Sequence, residues 1–204
     1  MTLQGSANIL DDVAAMGRAD SEGMLGHIAS LADQVAEGWR VSRELELPWP
    51  APRSVALLGM GGSAIGGELV KAVWADRISV PLEILRGYEL PAWVGTDTLV
   101  IASPKSGDTE ETLRQLEAAL SRRCPVVCVS AGGALRRVAE AASLPLVVFP
   151  DQGSPRALAG RSIGGVAGVL ERAGVLEVGS SEVEAAVASS QEFGARCAPG
   201  IPTA

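Results

Sequence analysis

The chain has 204 residues, 47% hydrophobic and 20% charged, which is enough apolar material for one sizeable core and too much for a disordered chain. Seventeen basic against 24 acidic residues leave a net charge of −7. There is no cluster of Lys and Arg of the kind an extended nucleic-acid footprint needs, so no nucleic-acid partner is expected.

In chain order, residues 24–39 place Met24, Ile28, Leu31, Ala32, Val35 and Trp39 at helical spacing, which predicts an amphipathic leading helix. Pro48-Trp49-Pro50-Ala51-Pro52 stops it and forms a stiff connector. Five short apolar runs follow, at 54–58, 82–85, 98–102, 126–129 and 146–149. They hardly alternate, as strands buried on both faces should not. Between them lie helical patterns carried by Ile65, Leu69, Val70 and Val73, by Leu113, Leu116 and Leu120, and by Leu135, Val138 and Ala142. Alternating β and α elements predict a parallel sheet covered by helices on both sides. A helix over about 155–173 is predicted to open on Ser154 as N-cap and Pro155 at its first position. Its Gly160, Gly164 and Gly168 form a smooth stripe for close packing. A last helix is predicted over about 180–194. Residues 1–50 therefore read as a helical arm, 51–194 as the main domain and 195–204 as a connector leading to an absent second domain.

Composition narrows the chemistry. Cys124, Cys128 and Cys197 form no C-x-x-C pair and His27 is the single histidine, which speaks against a zinc site and a Ser-His-Asp triad. Asp11 and Asp12 occupy the place where a signal peptide would be basic, and no apolar run reaches the roughly 18–20 residues that span a bilayer. A cytoplasmic protein without a membrane partner is expected.

Two segments carry the candidate site. The first strand runs into Gly59-Met60-Gly61-Gly62-Ser63-Ala64, where glycines let backbone N–H groups approach an anion and Ser63 adds a hydroxyl. The same turn is a loose G-x-G-x-x-A dinucleotide fingerprint, although the second strand ends in Arg86-Gly87 with no acid at its tip and only Glu89 beyond. A ligand-free strand–helix turn is the plain alternative. After the third strand comes Ser103-Pro104-Lys105-Ser106-Gly107-Asp108-Thr109-Glu110-Glu111-Thr112. Ser106 and Thr109, three apart at a helix start, suit one phosphate. Asp108 and Glu111 also read as a D-x-x-E capping box.

Together, Gly59-Met60-Gly61-Gly62-Ser63 and Ser106-Gly107-Asp108-Thr109-Glu110-Glu111-Thr112 resemble the sugar isomerase (SIS) domain, as in the N-terminal half of bifunctional phosphoglucose/phosphomannose isomerases. The resemblance covers roughly residues 20–195. It implies a three-layer α/β/α sandwich with a five-stranded, flavodoxin-like parallel sheet that binds a hexose phosphate and needs no cofactor. It puts Gly62 and Ser63 against the sugar, with Gly61 beside them in the same turn, and Ser106 and Thr109 on the phosphate, where Ser103 substitutes for the first serine only if the loop is reshaped. Arg156, in Ser154-Pro155-Arg156, matches an active-site arginine suited to a developing oxyanion. Three positions depart from the usual Ser-Tyr-Ser-Gly-Asn-Thr. Pro104 stands at the first serine, Lys105 at the tyrosine and Asp108 at the asparagine. A carboxylate about 6 Å from a phosphate costs roughly 1–3 kcal/mol, unless Lys105 offsets it or Asp108 caps a helix facing away.

The family takes its base glutamate and its histidine from beyond this segment, so the chain alone is expected to be inactive, with a homodimer mate or second SIS domain as partner. His27 reads as a packing or surface residue. The alternatives are a non-catalytic phosphosugar-binding regulatory module or, with weaker support, a dinucleotide-binding domain.

Overall fold

The computed structural model describes residues 11–150 and 153–201. The first ten residues of the expected arm and the last three of the expected connector lie outside them. Five strands, β1 (Ser54–Leu58), β2 (Leu82–Leu85), β3 (Thr98–Ala102), β4 (Val126–Ser130) and β5 (Leu146–Val148), pair in parallel in the order β2-β1-β3-β4-β5. The helices are α1 (Val13–Ala19), α2 (Met24–Ala29), α3 (Leu31–Arg43), α4 (Ile65–Val73), α5 (Glu110–Ser121), α6 (Gly133–Ala141), α7 (Ala159–Arg172) and α8 (Ser180–Arg196). The strands sit where the apolar runs put them, with one-residue differences at the ends of β4 and β5.

Period-two geometry divides the core. Val55, Leu57, Leu99, Ile101, Val127 and Val129 face a layer that includes Trp39 of α3, Val70 of α4, Val166 and Leu170 of α7 and Val183 of α8. Ala56, Leu58, Val100, Ala102, Val126 and Cys128 face Leu116 of α5 and Leu135 of α6. The molecule is thus the expected three-layer α/β/α sandwich. Burial pushes the Cys128 thiol up to about 12 and raises that of Cys124, so neither is a thiolate at neutral pH.

The glycine stripe of α7 lies against the backbone of α3. A Cβ on Gly160 would come within 2.5 Å of the Leu31 carbonyl oxygen, one on Gly164 within 2.8 Å of the Trp39 nitrogen, and one on Gly168 within 2.6 Å of the Trp39 oxygen. Gly38 answers from α3, where a Cβ would meet the Arg161 carbonyl oxygen at 2.6 Å. Arg161 and Glu37 clamp the pair at 2.8 Å. The opposite edge of this layer is fixed by Glu182 of α8, which accepts from Trp74 Nε1 at 3.0 Å and Arg77 Nη1 at 2.9 Å. The Trp74 hydrogen bond, then Arg77, hold that carboxyl below its usual range.

Three local expectations are corrected. The leading helix is not continuous, because Ser30 ends α2 and begins α3. Its hydroxyl donates to the His27 carbonyl at 3.1 Å and accepts from Gln34 Nε2 at 3.0 Å, competing with the helical backbone. The predicted 155–173 helix begins as a 3₁₀ turn, Pro155–Leu158, and becomes α-helical at Ala159; Ser154 makes no side-chain cap. In α4 the residues read as its apolar face are mostly outside, with Ile65 at 42%, Leu69 at 40% and Val73 at 64% exposure. Val70 is buried beside Gly66 and Gly67 instead. A Cβ on Gly67 would approach Leu57 Cδ1 to 2.6 Å, and one on Gly66 would approach Ser162 Cβ to 2.7 Å. Only glycine allows α4 to lie that close to β1 and α7.

Candidate functional site

The strand order reverses at β1, which lies between β2 and β3. The chain therefore leaves β1 and β3 towards opposite sides of the sheet, and the crevice between their carboxyl ends is where doubly wound folds bind ligands. Both sequence-derived segments meet there. After β1, Gly61–Ser63 forms a 3₁₀ turn. After β3, the Lys105 N–H donates to Ser63 Oγ at 3.0 Å, tying the two segments together.

A second seam joins the post-β3 loop to the β4–α6 turn. Ser130 Oγ donates to the Pro104 carbonyl at 2.8 Å. The Ala131 N–H donates to the Lys105 carbonyl at 3.0 Å, and that of Leu135 to the Gly107 carbonyl at 2.9 Å. Asp108 Oδ1 accepts from the Ala134 N–H at 2.8 Å. Asp108 is therefore a cap on α6, and the capping box with Glu111 does not form. α5 starts at Glu110 with Thr109 as its N-cap residue. A carboxylate among the first free amides of α6 is stabilised by the positive helix end, which accounts for an acid at this position.

This gives a clear expectation. Asp108→Asn, which keeps the accepting oxygen, should lower Tm by less than about 2 °C, whereas Asp108→Ala should cost about 1 kcal/mol, or about 2–4 °C. Equal melting shifts for the two variants in calorimetry would refute the capping role.

The two seams enclose a cleft lined by Gly62, Ser63, Ser103, Lys105, Ser130 and Ser162, with Phe149, Pro155 and Leu158 as apolar walls. Its cavity volume is about 20 Å³, space for one oxygen-sized group. No Asp, Glu or His lines it among the described residues. Pro155 closes the side above Gly62, where a Cβ would come within 3.1 Å of Pro155 Cβ.

Of the expected site residues, the structure brings Gly62, Ser63 and Ser103 together in this cleft. Gly61, Ser106, Thr109 and Arg156 lie outside its lining. Ser106 is exposed and its hydroxyl accepts from the Asp108 N–H at 3.2 Å. Thr109 is half-buried, and Gly61 is exposed. Arg156, exposed in the 3₁₀ turn, makes no ion pair with another described residue. His27 is half-buried on α2 and faces Gly153, where a Cβ would lie 2.9 Å from its Nε2. Arg86, at the tip of β2, is paired with Glu68 at 2.7 Å.

Ser130 and Ser162 were not anticipated. Ser130 was accessible in principle, as the polar residue ending a buried strand at the ligand-binding edge. Ser162 gave no signal, because its place depends on how α7 is rotated against α4.

A fold with this strand order and a serine-lined cleft at its switch point defines a class, and the comparisons agree with it. The chain has the fold of structures described as putative phosphosugar isomerases. Its sequence is similar to part of several bifunctional phosphoglucose/phosphomannose isomerases. It is 30% identical over 181 residues to the enzyme of that name from Caldicellulosiruptor bescii, covering 88% of this chain and 53% of the relative. It thus spans about half the length of that relative, and less of the others. A hypothetical protein from Thermus thermophilus superposes with a TM-score of 0.61 at 25% identity, covering 81% of this chain and 44% of that one. The NanR protein of Vibrio vulnificus, solved with ManNAc-6P, shares the fold at a TM-score of 0.51 and 16% identity, over 90% of this chain and 72% of that one. No protein-family profile matches the chain.

Proposed function

We propose that this chain is the phosphosugar-binding half of a phosphoglucose/phosphomannose isomerase-like protein, holding hexose 6-phosphates for aldose–ketose isomerisation through an enediolate. The observation that carries this reading is the Lys105–Ser63 hydrogen bond, which unites the glycine turn and the post-β3 loop at the edge where such folds bind anions. In this reading Ser106 and Thr109 hold the phosphate, with Ser103 beside them. Gly61, Gly62 and Ser63 meet the sugar, and Arg156 faces the oxygens that gain charge as the proton moves. Isomerisation also needs a carboxylate base, and none lines the cleft among the described residues. A second SIS domain or a homodimer mate supplies it, in the cytoplasm.

The 204-residue chain should bind fructose 6-phosphate in a calorimetric titration and show no detectable isomerase turnover. Turnover by the chain alone would overturn the division of the active site, and absence of binding would overturn the phosphosugar reading. A second reading is a regulatory module that binds a phosphosugar without converting it, favoured by the same absence of a carboxylate. If the chain followed by its second half still binds the sugar phosphate and remains inactive, the regulatory reading replaces the first.

A further inference from the structure

Ser130 ends β4 as the one hydroxyl in a buried strand otherwise made of Val126, Val127, Cys128 and Val129, and it is 2% exposed. A hydroxyl buried there needs partners, and it finds them outside its own strand. Its single proton goes to the Pro104 carbonyl at 2.8 Å, and its oxygen accepts from the Gly132 N–H at 3.3 Å. The Lys105 and Gly132 carbonyls stand farther off, at 3.3 and 3.4 Å.

The peptide joining Pro104 to Lys105 is therefore gripped from both sides. Ser130 donates to its carbonyl, and Ser63 Oγ accepts its N–H at 3.0 Å. A trans peptide is planar, with carbonyl and N–H pointing in opposite directions, so these two bonds set the tilt of that unit about the chain. The Pro104 carbonyl also accepts from the Gly107 N–H at 3.2 Å, which closes the turn over 104–107 on the same anchor. The next peptide repeats the orientation. The Lys105 carbonyl accepts from the Ala131 N–H, which turns the Ser106 N–H away from β4 and towards the Ser63 side of the crevice. That N–H donates to no other described residue. Ser130 itself gives its proton to the backbone and has none left for a ligand.

We propose that Ser130 is a positioning residue for the phosphate, its hydroxyl holding the Pro104–Lys105 peptide so that the Ser106 N–H faces the anion. This rests on the phosphosugar reading above and deepens it by naming the side chain that sets the shape of the anion-binding loop.

The test titrates fructose 6-phosphate into the 204-residue chain and its Ser130→Ala, Ser130→Cys and Thr98→Val variants, then displaces it with inorganic phosphate, with a thermal melt of each. Alanine removes the hydroxyl, and cysteine nearly keeps the volume while being a weak donor. Both should bind fructose 6-phosphate and inorganic phosphate about 10-fold more weakly than the parent, by the same factor for the two ligands. Thr98→Val is the control. Thr98 is buried at the amino end of β3, where its hydroxyl meets Ser54 Oγ at 3.0 Å and the Gly95 N–H at 3.3 Å. That variant should melt below the parent and bind both ligands as the parent does.

Parent-like binding by either Ser130 variant overturns the assignment and leaves the phosphosugar reading intact. So does a loss confined to fructose 6-phosphate, which would make Ser130 a sugar contact, or a matching loss in Thr98→Val, which would make the effect one of stability. Failure of both Ser130 variants to fold marks a packing residue and overturns it too, as does inorganic phosphate that displaces nothing from the parent. If the parent does not bind fructose 6-phosphate, the phosphosugar reading falls and the assignment with it.

Discussion

Gly107→Ala should lower the affinity for fructose 6-phosphate by about 100-fold and cost about 3 kcal/mol of stability, seen as a fall in Tm of about 6–12 °C. Gly107 has φ +77°, where an L side chain is strained by roughly 1–2 kcal/mol. A Cβ there would also lie 2.6 Å from the Gly132 carbonyl carbon and 3.1 Å from Gly133 Cα. These are backbone atoms at the start of α6, so relief requires the post-β3 loop to lift away from that helix. Lifting breaks the Leu135–Gly107 and Asp108–Ala134 hydrogen bonds and shifts Ser106 and Thr109, the residues proposed to hold the phosphate. Calorimetry on the variant reads both effects at once. Parent-like melting with parent-like binding would show that the loop is not held as described.

Gly164→Ala should be the most destabilising single-methyl change on the helical side of the protein, at about 3 kcal/mol and a loss of about 6–12 °C in Tm. The added Cβ would meet the Trp39 nitrogen at 2.8 Å and press on the Val35 carbonyl, neither of which turns aside as a side chain does. α3 and α7 would have to separate, opening the layer that contains Trp39, Val166 and Leu170. Gly194→Ala on α8 serves as the control. Nothing lies within 4 Å of its Cβ position, so this change should raise stability by about 0.5–1 kcal/mol. Urea unfolding of the two variants should therefore move in opposite directions. Equal shifts would refute the close α3–α7 contact.

The layers were legible because their signals are local. The run SVALL at 54–58 cannot be half-exposed, and its burial on both sides already implies helices above and below. The glycine stripe of α7 was legible for the same reason, since four-residue spacing survives in any context. Which face of α4 looks inward was not. Ile65, Leu69 and Val73 are the more hydrophobic set, yet Gly66 and Gly67 face the core, because closeness of approach outweighed the area that larger side chains would bury. The site divided along similar lines. The glycine turn and the serine-bearing loop announced themselves by residue type at strand ends. The partner of Asp108 lies 26 residues on, at Ala134, and no local pattern links them. Spacing alone favoured Glu111, three residues away, and the wrong cap followed from it.

The seam between the post-β3 loop and α6 also gives the site a clock. The amides of Ala131 and Leu135 both donate to backbone carbonyls of that loop, those of Lys105 and Gly107. Neither can exchange its hydrogen with solvent until the loop detaches, so their exchange is set by the opening equilibrium of the cleft floor. Deuterium uptake at these two positions therefore measures how often an empty site opens, and how far a bound ligand slows it.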